Sequence, residues 1–290
     1  MKFILQTLAL VILLGAGVAW TVSIPKSDDG ETLASLIPDN NNGAQVFLAS
    51  GCSSCHAKPG SDDKVTLAGG YRITSPFGTF ISPNISQDPE AGIGGWNLPE
   101  FATAVRLGVS PEGTHYFPAF PYASYNRMTD QDVTDLFGYM QSLPADATPS
   151  ADHEVRFPFS IRRAVGIWKA RYMTEEWVAG AATPELERGR YLVESLGHCA
   201  ECHTPRDAIG GLDRASWMTG GPNPSGDGRI PNIHPSALGW SAEEITDYLD
   251  SGFTPEFDVA GGSMKAVVEN YAQLPASDRA AVAKYLVSLP

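Results

Sequence analysis

The chain has 290 residues, 43% of them hydrophobic, which is enough for two soluble domains of about 100 residues each. Its 33 acidic and 20 basic side chains leave a net charge of -13, a field that repels nucleic-acid phosphates and favours a partner with a basic docking face, although acidity also serves plain solubility. All four cysteines fall in two pentads, Cys52/Cys55 and Cys199/Cys202, so none is left for a disulfide elsewhere.

The N-terminus, "MKFILQTLALVILLGAGVAW", has one early positive charge and then an apolar run broken by Gln6 and Thr7. Residues 1–24 read as an export segment, either a signal anchor or a signal peptide. "GVA" ending at Ala19 offers a small-residue cleavage site, yet the run reaches about the length needed to span a bilayer, which favours an uncleaved anchor. Lys2 then stays in the cytoplasm, and everything after Ser23 faces the periplasm of a bacterial inner membrane.

The first pentad follows in "GCSSCHAKPG" and the second in "GHCAECHTPR". A C-x-x-C pair alone suits a thioredoxin-like redox site or half of a zinc site, but C-x-x-C-H is the attachment signature of c-type haem. Two cysteines form thioethers to the vinyl groups, and the next residue places an imidazole beneath the iron. Zinc would require neither histidine. The pentads therefore predict two covalently bound haem c groups, attached at Cys52 and Cys55 with His56, and at Cys199 and Cys202 with His203.

Each pentad heads the same series of segments. After the first come "LAGGYRITS", "SPNIS", "GGWNLPEF", "RLGVSPEG" and "MTDQDVTDLFGYMQSLP"; after the second come "IGGLDRASW", "IPNIH", "LGWSAEEI", "LDSGFTPEF" and "LPASDRAAVAKYLVSLP". Helices through "GAQVFLASGC" and "ERGRYLVESLGHC" deliver the pentads. Amphipathic helices close the units, apolar at Val133, Leu136, Phe137 and Met140 and at Val282, Tyr285, Leu286 and Leu289. Gly and Pro fill the middle of each unit, as expected where a chain wraps a haem rather than itself.

Between the units, residues 145–184 match neither repeat. Their "RFPFSIRRAVGIWKARYM" gathers basic and aromatic residues in an acidic protein. As a connector, Trp168 and the Phe residues pack across both units, while Arg162, Arg163, Lys169 and Arg171 neutralise haem propionates or lie near lipid head groups. The alternative is a docking surface for a partner enzyme. His153 and His234 read as surface or turn residues, and His198 as packing near the haem edge.

On these motifs each unit resembles a class I cytochrome c domain. The resemblance implies an all-α fold: two tandem class I cytochrome c domains at residues 43–144 and 185–290, after an N-terminal hydrophobic helix expected to be transmembrane. The chain as a whole is similar to the cytochrome c subunits of membrane-associated periplasmic alcohol, aldehyde and gluconate-type dehydrogenases, through "YLVESLGHCAECHTPR", "GGLD", "PAFPYASYNRMTD" and "FPFSIRRAVGIWK". Alcohol dehydrogenase subunits of this kind have a third haem domain, whereas the sequence here carries two pentads.

The resemblance also implies that Pro83 and Pro231 offer their carbonyls to the proximal imidazoles. Aligning Trp96 with Trp240, Gly108 with Gly252 and Pro111 with Pro255 gives a constant spacing of 144 residues, which sets Met264 opposite Phe120. Met264 stands where a distal methionine belongs. Phe120 cannot bind iron, and Met128 is the nearest substitute, with His115 or an open iron as alternatives and a helix-start staple as the competing role for Met128. The iron ligands expected are thus His56 and Met128, and His203 and Met264.

These features predict a periplasmic diheme cytochrome c that passes electrons from a dehydrogenase to a respiratory acceptor, without catalysis of its own. A diheme peroxidase or thiosulfate-oxidising enzyme with its first haem catalytic, and a diheme subunit of a terminal oxidase, are the competing readings.

Overall fold

A computed structural model describes residues 1–223, 226 and 228–290. Helix α1 (Lys2–Val22) is predominantly apolar and buries none of its residues against the body. It is long and apolar enough to cross a membrane by length and composition. Helix α2 (Asn40–Ala49) starts where the Asp39 carboxylate accepts from the backbone N–H groups of Asn41 and Asn42. Gly51, at φ 62°, then turns the chain into α3 (Cys52–His56).

A short hairpin follows, β1 (Arg72–Ser75) pairing antiparallel with β2 (Gly78–Ile81). Helix α4 (Leu98–Ala102) opens with a capping box between Asn97 and Glu100 and runs on as a π-helical turn over Thr103–Leu107. Helix α5 (Tyr122–Tyr125) leads into α6 (Asp130–Met140), whose first turn is capped by Thr129. Strand β3 (Glu154–Val155) pairs with β2, and α7 (Arg162–Tyr172) follows.

The rest of the chain repeats the pattern. Helix α8 (Pro184–Tyr191), capped by Thr183, passes into a π-helical turn over Leu192–Leu196, then into α9 (Ala200–His203). Strands β4 (Gly221–Pro222) and β5 (Arg229–Ile230) pair, and α10 (Pro235–Leu238) follows. Helix α11 (Ala242–Ser251) carries the capping box Ser241/Glu244, ahead of α12 (Met264–Tyr271) and α13 (Ala276–Val287).

Helix α2 packs on α6, and α8 packs on α13. The two crossings are built alike. A Cβ on Gly43 would lie 2.1 Å from the carbonyl oxygen of Asp135 and 2.7 Å from the Cβ of Tyr139. A Cβ on Gly189 would lie 2.1 Å from that of Ala281 and 2.7 Å from the Cβ of Tyr285. Glycine at both points lets helix backbones meet directly. Val133, Leu136 and Met140 of α6 are buried with Phe137 partly so, and Val282, Tyr285, Leu286 and Leu289 are buried at the other crossing, as the apolar periodicity predicts.

The expectation of an all-α chain needs one correction, the sheet β1–β2–β3 with its small companion β4–β5. The tip of the first hairpin demands it: Gly78, at φ 132°, has no room for a side chain against the backbone of Glu154, so the connector backbone lies flush and pairs. Farther along, the connector does reach both halves. Trp168 packs its ring 6.3 Å from Tyr122, and the Tyr172 hydroxyl donates to Asp207 beyond α9.

Candidate haem-attachment sites

In the first pentad His56 ends α3, and its Nδ1 lies 2.9 Å from the carbonyl oxygen of Pro83. A carbonyl only accepts, so Nδ1 carries the proton and Nε2 is left as the nitrogen able to bind a metal. The His56 carbonyl in turn accepts from Gly69 N–H at 2.7 Å. Gly69, at φ 74°, would bring a Cβ within 2.5 Å of the Pro83 carbonyl, so this loop position is open to glycine alone. One further bond, Ile85 N–H to the Leu67 carbonyl at 2.9 Å, closes the strap around the imidazole.

The second pentad has the same construction. His203 Nδ1 lies 2.9 Å from the Pro231 carbonyl, and the His203 carbonyl accepts from Gly220 N–H at 2.7 Å. Gly220, at φ 69°, would bring a Cβ within 2.6 Å of the Pro231 carbonyl carbon, and Ile233 N–H donates to Met218 at 3.0 Å. Pro83 and Pro231 thus stand against the two imidazoles, at the positions the Pro-Asn turns predict. Burial lowers the pKa of both histidines, which keeps the neutral, metal-binding form.

All four cysteines are free. Burial pushes Cys52 and Cys199 up to about 12 and Cys55 up to about 11, and it raises Cys202 as well. Burial holds such thiols in the neutral S–H form. Among the described residues, no three His, Cys, Asp or Glu side chains gather as a metal cluster. A thioether suits these positions, since it replaces S–H without leaving a charge to bury. A second feature fits a porphyrin with acidic arms: Trp217 Nε1 is buried with no hydrogen-bond partner, one residue from Met218, whose N–H bonds Thr204 beside His203.

The two halves of the chain meet around the pentads. The Tyr125 hydroxyl donates to the Ser50 carbonyl at 2.7 Å, and its ring lies 5.6 Å from that of His198. Asn270 donates to the Ser54 hydroxyl at 3.1 Å, Ser124 donates to Glu201 at 3.3 Å, and Cys202 lies close enough to raise the Cys55 thiol further. Each motif is therefore braced by residues from the other half of the chain.

Of the distal candidates, Met264 is the first residue of α12 and half-buried at the edge of the core. Met128 is buried, donates its N–H to the Tyr125 carbonyl at 2.8 Å and directly precedes the Thr129 cap of α6. Phe120 sits among Tyr116, Tyr122 and Tyr125, at ring separations of 6.2, 6.2 and 5.8 Å. His115 is removed from the ligand alternatives, because both ring nitrogens are taken: Nε2 faces the Ser23 carbonyl at 3.1 Å and Nδ1 faces Lys169 Nζ at 3.1 Å.

His153 is no surface residue. Its Nδ1 accepts from Ile81 N–H, and its ring packs between Phe80 and Phe117. His234 does cap a turn, accepting from Ser236 N–H. The basic connector residues have protein partners of their own. Arg162 lies over the Phe117 ring, Arg163 bonds Ser23 and Trp20, Lys169 donates to the carbonyls of Leu107 and Gly108, and Arg171 donates to Tyr172. Sequence reasoning passed over Gly69, Gly220, Trp217 and Tyr125; the two glycines had a signal, since each stands between its pentad and its Pro-Asn pair.

Residues 41–144 match the family model described as Cytochrome c. Over 286 residues, 98% of this chain and 96% of the other, the sequence is 48% identical to the diheme cytochrome c-type protein of Cereibacter sphaeroides. It is 38% identical over 262 residues to the fructose dehydrogenase cytochrome subunit of Gluconobacter japonicus, covering 87% of this chain and 53% of that one. The cytochrome c subunit of the quinone alcohol dehydrogenase of Gluconacetobacter polyoxogenes is 37% identical over 262 residues, covering 86% and 55%. The chain thus spans about half the length of these two dehydrogenase subunits and nearly all of the diheme protein. With pentad, strapped imidazole and proline carbonyl in place and this likeness along its whole length, the chain belongs to the cytochrome c family.

Proposed function

We infer that the chain is an electron-transfer cytochrome holding two haem c groups, one in each of two tandem cytochrome c domains, residues 43–144 and 185–290. Cys52 and Cys55 would anchor the first haem and Cys199 and Cys202 the second, with His56 and His203 as proximal ligands. The observation that carries this reading is the duplicated imidazole strap, Nδ1 to proline carbonyl at 2.9 Å in both units. Haem c supplies reversible one-electron exchange at iron. The protein's part would be to hold each Nε2 toward the metal, to present the four attachment sulfurs and to brace each motif from the other half of the chain. Met264 and Met128 are the proposed distal ligands, and methionine opposite histidine raises the potential and closes the iron to substrates.

The donor would be a periplasmic dehydrogenase, because the relatives are cytochrome subunits of dehydrogenases, and a basic face on it would complement the acidic chain. Helix α1 would anchor the protein on the periplasmic side of the inner membrane. Membranes with and without the chain test this, as alcohols, aldehydes, fructose or gluconate are added and the haem c absorption is followed. Chain-dependent reduction by one substrate supports the reading. A purified diheme chain that turns over peroxide or thiosulfate and accepts no electrons from any dehydrogenase overturns it.

A further inference from the structure

Where α1 meets the body, the connector grips its last turn. Arg163 donates to the Trp20 carbonyl at 3.0 Å and to the Ser23 hydroxyl at 2.8 Å, and its guanidinium lies 4.5 Å from the centre of the exposed Trp20 ring. His115 holds the Ser23 carbonyl from the other side. The joint between helix and body is therefore fixed. A helix of 21 residues rises about 31 Å, the thickness of a hydrocarbon core. If α1 spans, whatever bonds Trp20 lies at the depth of the head groups.

The segment beside this joint is unusual for a soluble surface. Phe157 is 81% exposed, Phe159 48%, Ile161 44% and Ile167 48%, and Ile24 next to the joint is 50% exposed. Residues 156–161 are folded into a tight turn by Ser160 N–H to the Arg156 carbonyl and Ile161 N–H to the Pro158 carbonyl. Phe159 packs edge-to-face with Phe77 at 4.9 Å between ring centres, which supports the turn. Arg163 is six positions beyond Phe157, about 21 Å at full extension and less through this turn. Exposed Arg156 has no ion-pair partner among the described residues, while the neighbouring Glu154 is paired with Arg72.

We propose that residues 156–167 form a second membrane contact, an aromatic and cationic patch that inserts into the anionic head-group layer beside α1. The proposal rests on α1 being retained and spanning. Continuity with the helix end selects lipid as the occupant: exposed Phe and Ile side chains rimmed by arginine, level with an interfacial tryptophan, match the chemistry of a bilayer surface. The patch would add a second point of contact, so that the tilt of the body over the membrane does not rest on the joint with α1 alone.

The test uses the full haem-loaded chain in vesicles of phosphatidylethanolamine and phosphatidylglycerol containing a phospholipid with a diazirine near its glycerol end. After irradiation, peptides and intact mass are analysed. Lipid adducts are expected on α1 and on residues 156–167, with the latter lost in Phe157→Ser and weakened when phosphatidylcholine replaces phosphatidylglycerol. Phe157 is exposed enough that this variant keeps its fold, checked by an unchanged haem spectrum. Adducts confined to α1 overturn the patch and leave the anchor standing. Adducts on 156–167 in a chain whose mass lacks α1 sink the anchor and with it the proposal of a second contact beside α1, and adducts on neither overturn both. Labelling that emerges only after a co-purifying protein is stripped away identifies a protein occupant and overturns the lipid assignment.

Discussion

Replacing Gly43 or Gly189 by alanine should destabilise the protein by similar amounts, because the two glycines occupy equivalent helix crossings. Each new Cβ would stand 2.1 Å from a backbone carbonyl oxygen, and relief even to 3.0 Å requires 0.9 Å of separation between the helices. The obstacle is main chain, which cannot rotate away as a side chain could. A gap of that size forfeits roughly a quarter to a half of each dispersion well across the crossing. Overpacking of this kind costs about 3 kcal/mol at the upper end of its usual range. The better helix propensity of alanine returns about 0.9 kcal/mol. The net cost is about 2 kcal/mol at each site. Urea unfolding of the haem-loaded chain in detergent, followed by far-ultraviolet circular dichroism and the Soret band, measures it. Gly180→Ala is the control, since no atom lies within 4 Å of that site. A cost below about 0.5 kcal/mol for either variant, or a gain, would refute the argument that backbone contact governs the crossing.

Cys199→Ala with Cys202→Ala should remove one haem by intact mass and haem stain; retention of both haems, or a wild-type chain with fewer than two, sinks the attachment scheme. Met264→Ala should turn one low-spin haem high-spin, and Met128→Ala should do the same to the other and open it to carbon monoxide. An unchanged spin state and potential after Met128→Ala would show that Met128 serves only as a staple at the start of α6. Stability should rise with pH from about 7 toward 10.5, because burial lowers Lys169 from 10.5 to about 7 and the unfolded chain binds the extra proton across that window. His115, lowered from 6.5 by burial and by the nearby cations Lys169 and Arg163, acts with the same sign at lower pH. Lys169→Met should flatten the slope above pH 7, and a slope unchanged by it would assign the effect elsewhere.

Much of this was legible because it is local. The pentads, the Pro-Asn turns and the capped starts of α6 and α11 depend on residues within a few positions of one another. The helix crossings were legible in a different way: Gly43 and Tyr139, and Gly189 and Tyr285, are both 96 residues apart, a repeated spacing that sequence reasoning left unused. What sequence could not show was long-range pairing. Nothing near His115 marks it as the partner of Ser23 and Lys169, which lie 92 and 54 residues away. Strand β3 was hidden for the same reason, as Glu154 and Val155 gain strand geometry only from Gly78 and Thr79. Charge alone also did not show the protein partners of the basic connector residues, which are backbone carbonyls, hydroxyls and aromatic faces.

The bracing of each pentad by the opposite half bears on how such a chain works. Tyr125 belongs to the first half, yet its ring rests against His198, and its hydroxyl holds Ser50 just before Cys52. Asn270 belongs to the second half and holds Ser54 within the first pentad. Arg127 adds a bond from the residue before Met128 to the Glu194 carbonyl, in the turn that delivers the second pentad. Independent domains on a tether would place these side chains in water, where none would fix the other's haem motif. Here a shift of either pentad would strain bonds made by the opposite half. Because Tyr125, Ser124 and Asn270 link the surroundings of both motifs within one chain, the arrangement would suit internal exchange between the proposed haems better than separate encounters with two partners.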